Sequence, residues 1–221
     1  DSLARRFQED GYSLKKLHRR IVLSATYQQA STFDEEAVAK DAGNRFLWRH
    51  SPRRVEAEVV RDAMLHVAGK LNTRRGGPGF EDVTITPNNG TTYYEPVDRE
   101  GPTFHRRMVY RFTPRGGRSA LLDTFDCPDP SSAAPRRSVT TTPLQALSLL
   151  NNSFALRMSE EFAARVAKEA GDEQAAQVTR AWQLALGRGP EKEELAWSED
   201  LTEQHGLPAL CRALFNANEF V

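Results

Sequence analysis

Cysteine is scarce, with two residues in 221, as are methionine and tryptophan with three each, and the formal charge sums to zero. Cys127 and Cys211 lie far apart and match no metal-ligand spacing, which excludes a metal centre built on a local cysteine motif. They leave two readings open: a disulfide in an oxidising compartment, or two buried free thiols. No run approaches the roughly 18 apolar residues that a membrane-spanning helix needs, so direct membrane insertion is not expected. Phosphate loops, dinucleotide fingerprints and haem-attachment C-x-x-C-H motifs are missing as well, so no cofactor is expected. The five histidines, His18, His50, His66, His105 and His205, form no i, i+4 pair and adjoin no serine elbow. The chain opens on Asp1-Ser2-Leu3 without a basic-then-apolar start, and we read it as a piece of a longer protein.

What is present, 39% hydrophobic and 27% charged residues, is the composition of one globular domain over residues 1–221. The charge is unevenly spread, with 23 Lys and Arg against 18 Asp and Glu up to Arg137, then 7 against 12. Such asymmetry fits docking on a neighbour, or two solvated faces of opposite bias.

One stretch stands apart from this ordinary background. From Leu121 to Asn152, Asp, Pro, Arg, Thr, Gln and Asn crowd together with little periodicity. Phe125-Asp126-Cys127-Pro128-Asp129-Pro130 is a rigid non-helical loop, because each proline fixes its own φ and biases its predecessor toward extended geometry. Thr142-Pro143 is a helix start, cap followed by proline at the first position. From there Leu144, Leu147, Leu150, Phe154, Met158, Phe162 and Val166 step by three or four, predicting one long helix to about Gly171, with Asn151-Asn152 marking a kink or facing a partner.

The motifs FDCPDP, RRSVTTTPLQALSLLNN, LALGRGPEKEEL and LFNANEF, with the opening GYSLKKLHRRIVLSATYQQAS, occur here in that family's order and resemble a domain of unknown function, DUF1553, abundant in Planctomycetes. The resemblance covers nearly the whole chain. It implies the C-terminal part of a large surface or secreted protein, often behind a cytochrome c-like module and a second uncharacterised domain. An extracytoplasmic location, and other domains of the parent protein as partners, follow from it as expectations. The family has no established activity, so it carries over no catalytic residues, and any haem would sit in another module.

The rest of the chain reads as a mainly α, multi-helix domain with a small antiparallel β insertion at about 80–115. Ser13 caps a helix with Leu14, Leu17, Ile21 and Ala25 on one face and Lys15, Lys16, Arg19 and Arg20 on the other. No stacking aromatics or reader motif accompany this charge, so nucleic acid is not an expected partner. Ser51-Pro52 predicts another helix start, followed by an apolar face of Val55, Val59, Ala63, Val67 and Leu71. Glu58 and Asp62, at i and i+4, fit paired carboxylate chemistry or surface pairing with Arg54 or Arg61. Three strands are predicted, around Val83–Thr86, Thr91–Tyr94 and Arg107–Thr113, the first two joined at Asn89-Gly90. Asp172 caps a further helix closed by Gly187; others start at Pro190 and Leu207.

The candidate binding residues are Asp126, Asp129, Arg136, Arg137, Gln145, Asn151 and Asn152. Their amides and guanidinium groups suit fixed hydrogen bonds, and their carboxylates suit holding a loop. Asp123, Asp126 and Asp129 form the best local set for a hard cation, but aspartates in proline-rich turns cap backbone and the adjacent arginines compete, so no metal is assigned. The expected function is an interaction or scaffold module binding a neighbouring domain or a polysaccharide. The competing expectation is a glycan hydrolase with Asp126 and Asp129 as acid and base. A hydrolase requires an open groove with both carboxyl groups free; a structural loop engages them with arginine or backbone amides.

Overall fold

A computed structural model describes residues 1–221. It contains ten α-helices and one two-stranded antiparallel sheet, the mainly α architecture with a small β insertion. The chain divides into two compact units, residues 1–53 and residues 54–221.

Residues 1–53 contain α1 (Ser2–Glu9), α2 (Leu14–Val22) and α3 (Glu35–Lys40). Ser13 accepts the Lys16 amide as the cap of α2, and Asp34 accepts the Ala37 amide as the cap of α3. The helix whose apolar face is predicted to reach Ala25 stops at Val22, and turns follow, with the Ser24 hydroxyl accepting the Tyr27 amide. Local polar contacts hold this unit. Asp10 pairs with Arg20 at 2.9 Å, the Asp41 carboxylate accepts the amides of Arg45 and Phe46, and Trp48 Nε1 donates to the Asp41 carbonyl. None of the 53 residues is buried, and ten large apolar side chains are exposed, among them Leu14, Ile21, Val22, Leu23, Tyr27 and Phe46.

Residues 54–221 have a continuous core. It comprises α4 (Ala57–Val67), α5 (Ala120–Thr124), α6 (Pro143–Asn151), α7 (Ser153–Ala170), α8 (Gln174–Leu186), α9 (Lys192–His205) and α10 (Leu207–Phe215), with strands β1 (Val83–Asn88) and β2 (Thr91–Pro96). α10 packs against α7, α8 and α9, and Phe162 stacks on Phe215 with ring centroids 5.4 Å apart. Phe154, Met158, Phe162 and Val166 of α7 and Leu210, Leu214 and Phe215 of α10 are buried, as their spacing predicts. Trp182 Nε1 donates to Ser198 Oγ at 3.0 Å, satisfying the indole between α8 and α9. Gly187 ends α8 at φ +74°, a left-handed geometry that a side chain would strain. Cys127 and Cys211 are both free, and burial raises the thiol pKa of Cys211 far above the ordinary range.

Five local expectations need correction. Ser51-Pro52 starts no helix; α4 begins at Ala57, after Glu56 in extended geometry. Its buried face is Ala57, Val60, Met64, Leu65 and Val67, whereas Val55 and Val59 are exposed, because the segment carries two apolar stripes and the core takes the one that presents Met64 and Leu65. The expected long helix breaks at Asn152, whose ψ of 134° ends α6 and whose side chain caps α7. The break rotates the faces, so α6 buries Gln145 and Leu149 and leaves Leu144 and Leu147 exposed. The third strand is replaced by a 3-10 turn at Met108–Tyr110, whose Met108 amide donates to the Asp62 carboxylate, and its pairing is reduced to a bridge between Phe80 and Arg111. Asp172 does not cap α8; Glu173 precedes it. The β1–β2 hairpin forms as read, turning through Asn89 and Gly90, both at positive φ.

Between α4 and α6 some 70 residues contain little regular structure, so their backbone groups need partners from side chains. Arginines supply them. Buried Arg61 donates to the carbonyls of Phe104 at 2.6 Å and Arg106 at 3.2 Å, while its guanidinium lies over the rings of Phe80 and Phe154. Buried Arg106 donates to the carbonyls of Arg74, Gly76 and Pro78. Arg165 donates to the carbonyls of His66 and Val67, closing the C-terminus of α4.

Candidate functional site

The 121–152 stretch folds as a brace that ties α6 to α4. Its centre is Asp126, held at φ +59° in the left-handed region that aspartate tolerates better than most residues. Its carboxylate accepts the Thr140 amide at 2.7 Å and the Thr140 hydroxyl at 2.9 Å. Thr140 Oγ1 in turn accepts from Gln145 Nε2 at 3.3 Å, and Gln145 completes a capping box with Thr142. Loop, strap and helix start are thus joined by one hydrogen-bonded line, which brings residues 126 and 140 together across the proline-rich excursion. Gln145 is 1% exposed, and its amide is engaged at both ends.

The strap is also fixed to α4. Arg137 donates to both oxygens of Glu58 at 2.7 and 2.8 Å, and Arg54 donates to the Thr141 hydroxyl at 2.9 Å. The Arg137 hydrogen bonds hold the Glu58 carboxyl below the usual glutamate range, against the opposing effect of its partial burial. Cys127 Sγ lies 3.8 Å from Glu58 Oε1; burial, then the Glu58 charge, raises its thiol pKa.

Asp129 is exposed and accepts the Ser131 amide at 2.8 Å and Arg118 Nη1 at 3.2 Å. The Ser131 hydrogen bonds, and secondarily Arg118, lower its carboxyl pKa. Arg118 also pairs with Asp123 at 3.0 Å, so a guanidinium holds those two carboxylates, and Asp126 turns away to Thr140. No group of three or more His, Cys, Asp or Glu converges as metal ligands. The loop therefore folds onto the helix start, as its composition implies, and the arginine that pairs with its carboxylates is Arg118.

Of the seven candidate residues, the brace unites Asp126 and Gln145 and ties in Arg137. Asn152 caps α7 through the Phe154 amide, while Arg136, Asn151 and Asp129 lie at the surface. Sequence reading did not assign Arg118 as the loop's partner, though its position five residues before Asp123 puts it in reach, nor Thr140 as the partner of Asp126, since nothing in the local pattern distinguishes it from Thr141 and Thr142. Glu58 and Asp62 do not act together: Glu58 faces Arg137, and Asp62 receives the Met108 amide and lies 3.5 Å from Arg61.

The model of a protein family of unknown function, PSD1 (DUF1553), matches residues 1–202. The chain belongs to that family. The match takes in the opening helices, the brace and α6 to α8 of this DUF1553 protein. No curated protein and no solved structure matches the chain. No helix is long and apolar enough to cross a membrane.

Two outcomes follow from the brace. Glu58 titrates lower in the folded than in the unfolded chain, so its pairing with Arg137 contributes fully above the ordinary glutamate range and is lost as pH falls through the lowered folded value. Arg137→Met should destabilise by on the order of 1 kcal/mol at pH 7, and the gap from wild type should narrow as pH falls below the ordinary glutamate range, measured by urea unfolding across pH. Asp126→Ala should cost about 1–2 kcal/mol, and Asp126→Asn clearly less, because asparagine keeps an acceptor oxygen and tolerates the left-handed φ. Equal costs for the two variants would show that Asp126 does not hold the brace.

Proposed function

We propose that this chain is an interaction and scaffold module of an extracytoplasmic multidomain protein, and that residues 1–53 dock on a neighbouring domain of that parent. The observation that carries this reading is the unit's surface: 53 residues with no buried member and ten exposed large apolar side chains. A surface of that kind gains about 1.5–3 kcal/mol for each apolar side chain a partner fully covers, before the cost of association. Charge narrows the partner. On α2, Lys16 and Arg20 pair with Asp10, whereas Lys15 and Arg19 have no acidic partner. The complementary surface is apolar at its centre with carboxylates at its rim.

The extracytoplasmic setting rests on the likeness to surface and secreted proteins of the family. A polysaccharide partner has less support, because Gln145, Arg137 and Asn152 already satisfy protein groups. Hydrolysis by Asp126 and Asp129 also has less support: one carboxylate holds Thr140, the other Ser131 and Arg118.

Calorimetric titration of this chain with the remaining domains of the parent, prepared separately, tests the proposal. Leu14→Glu with Ile21→Glu should weaken binding by about tenfold or more, and Lys15→Glu with Arg19→Glu should reduce both the affinity and its salt dependence. Absence of binding, unchanged affinity in both double variants, or retention on a glycan in place of the protein partner would overturn it.

A further inference from the structure

A cavity of about 200 Å³ lies within residues 54–221, bounded by α4, the strand exit after β2, the 3-10 turn, α5 and the start of α7. Its apolar wall includes the rings of Phe80, Phe104 and Phe154. The space matches a single six-membered ring, since an engineered apolar cavity of about 150 Å³ takes benzene.

The polar lining is more specific. Arg61, Arg99 and Arg111 meet Asp82 and Asp98 here, three cationic groups against two anionic ones. Two of the five are fully engaged by protein: Arg61 by the carbonyls of Phe104 and Arg106, and Asp98 by Arg157 and Ser153. Arg111 differs. Its side chain is 4% exposed, its Nε donates to both Asp82 oxygens at 2.8 Å, and its Nη2 is buried with no acceptor. A buried donor without a partner carries the whole cost of its lost hydration, and native interiors rarely leave one so.

We propose that this cavity binds a small organic monoanion with a flat apolar body, an aromatic carboxylate being the simplest member of the class. The carboxylate meets the open edge of the Arg111 guanidinium, and the ring lies among Phe80, Phe104 and Phe154. Guanidinium geometry suits a planar carboxylate, and the single excess positive charge favours a monoanion, because Asp82 and Asp98 repel a second negative charge. The site shares Leu121, Leu122 and Asn152 with the 121–152 stretch but none of the hydrogen-bonded line through Asp126, Thr140 and Gln145.

Benzoate is the probe, titrated into the ¹⁵N-labelled full chain with benzamide and inorganic phosphate as comparisons. Benzoate should shift the amides of Phe104, Leu121 and Leu122 and the Arg111 Nε–H, saturating with a Kd on the order of 1 mM. Benzamide and phosphate should each bind at least about tenfold more weakly, as expected for loss of a charge-assisted hydrogen bond or for a misfitting dianion. Arg111→Met combined with Asp82→Asn removes the charge pair together and should abolish the shifts. If that variant fails to fold, Ala120→Trp, which adds bulk from a solvent-exposed position in the lining, decides the matter and should block binding. No saturable shifts, shifts elsewhere, equal binding of benzamide, tighter binding of phosphate, or undiminished binding by the Trp variant would each overturn the assignment.

Discussion

The buried guanidinium of Arg61 is the contact on which the larger unit depends. It projects from α4 into the long segment before α6, whose regular structure is one hairpin, a 3-10 turn and the short α5, and that segment has backbone carbonyls which neither helix nor sheet satisfies. By taking two of them and lying over Phe80 and Phe154, Arg61 joins irregular chain to the helical core on both polar and apolar terms. Burial lowers its pKa and the adjacent Asp62 opposes that, yet an arginine stays cationic throughout. Asp62 in turn holds the Met108 amide, so two consecutive residues of α4 fix the chain from Phe104 to Met108.

The same device recurs with different residues. Arg106 gathers three carbonyls, Arg165 closes α4, and Arg137 anchors the strap before α6 to Glu58. Arg188 bridges Glu194 and Glu219 while lying over Trp182, and its hydrogen bonds bring the Glu194 carboxyl down to about 2. Exposed pairs of this kind contribute little singly. Their value here lies in position, since many connect elements or backbone far apart in sequence.

Elements whose cause is local were legible in the sequence. Thr142-Pro143 starts a helix because cap and proline act on the first turn alone, Asn89-Gly90 turns the hairpin because both residues accept positive φ, and the spacing from Phe154 to Val166 reports the face of α7. Features decided at a distance were not. The two apolar stripes of α4 are equivalent until the core selects one, and the expected third strand gives way to a turn whose Met108 amide donates to Asp62, 46 residues away. The site followed the same rule. Proline and aspartate density identified the loop, but the assignment of Asp126 to Thr140 and of Asp129 to Arg118 depends on how the excursion closes.

Residues 1–53 lack the features that consolidate the rest: they contain three helices, caps and local ion pairs, but no buried side chain. A packed unit and a locally held one in the same chain give different exchange behaviour, because protection approaches the global unfolding free energy only where buried contacts support the hydrogen bonds. Segment-resolved hydrogen exchange on the intact chain measures this directly. The account requires slow exchange in α7 and α10, with their buried Phe162 and Phe215, and exchange faster by orders of magnitude in α1 to α3. Protection of residues 1–53 equal to that of α7 would contradict it.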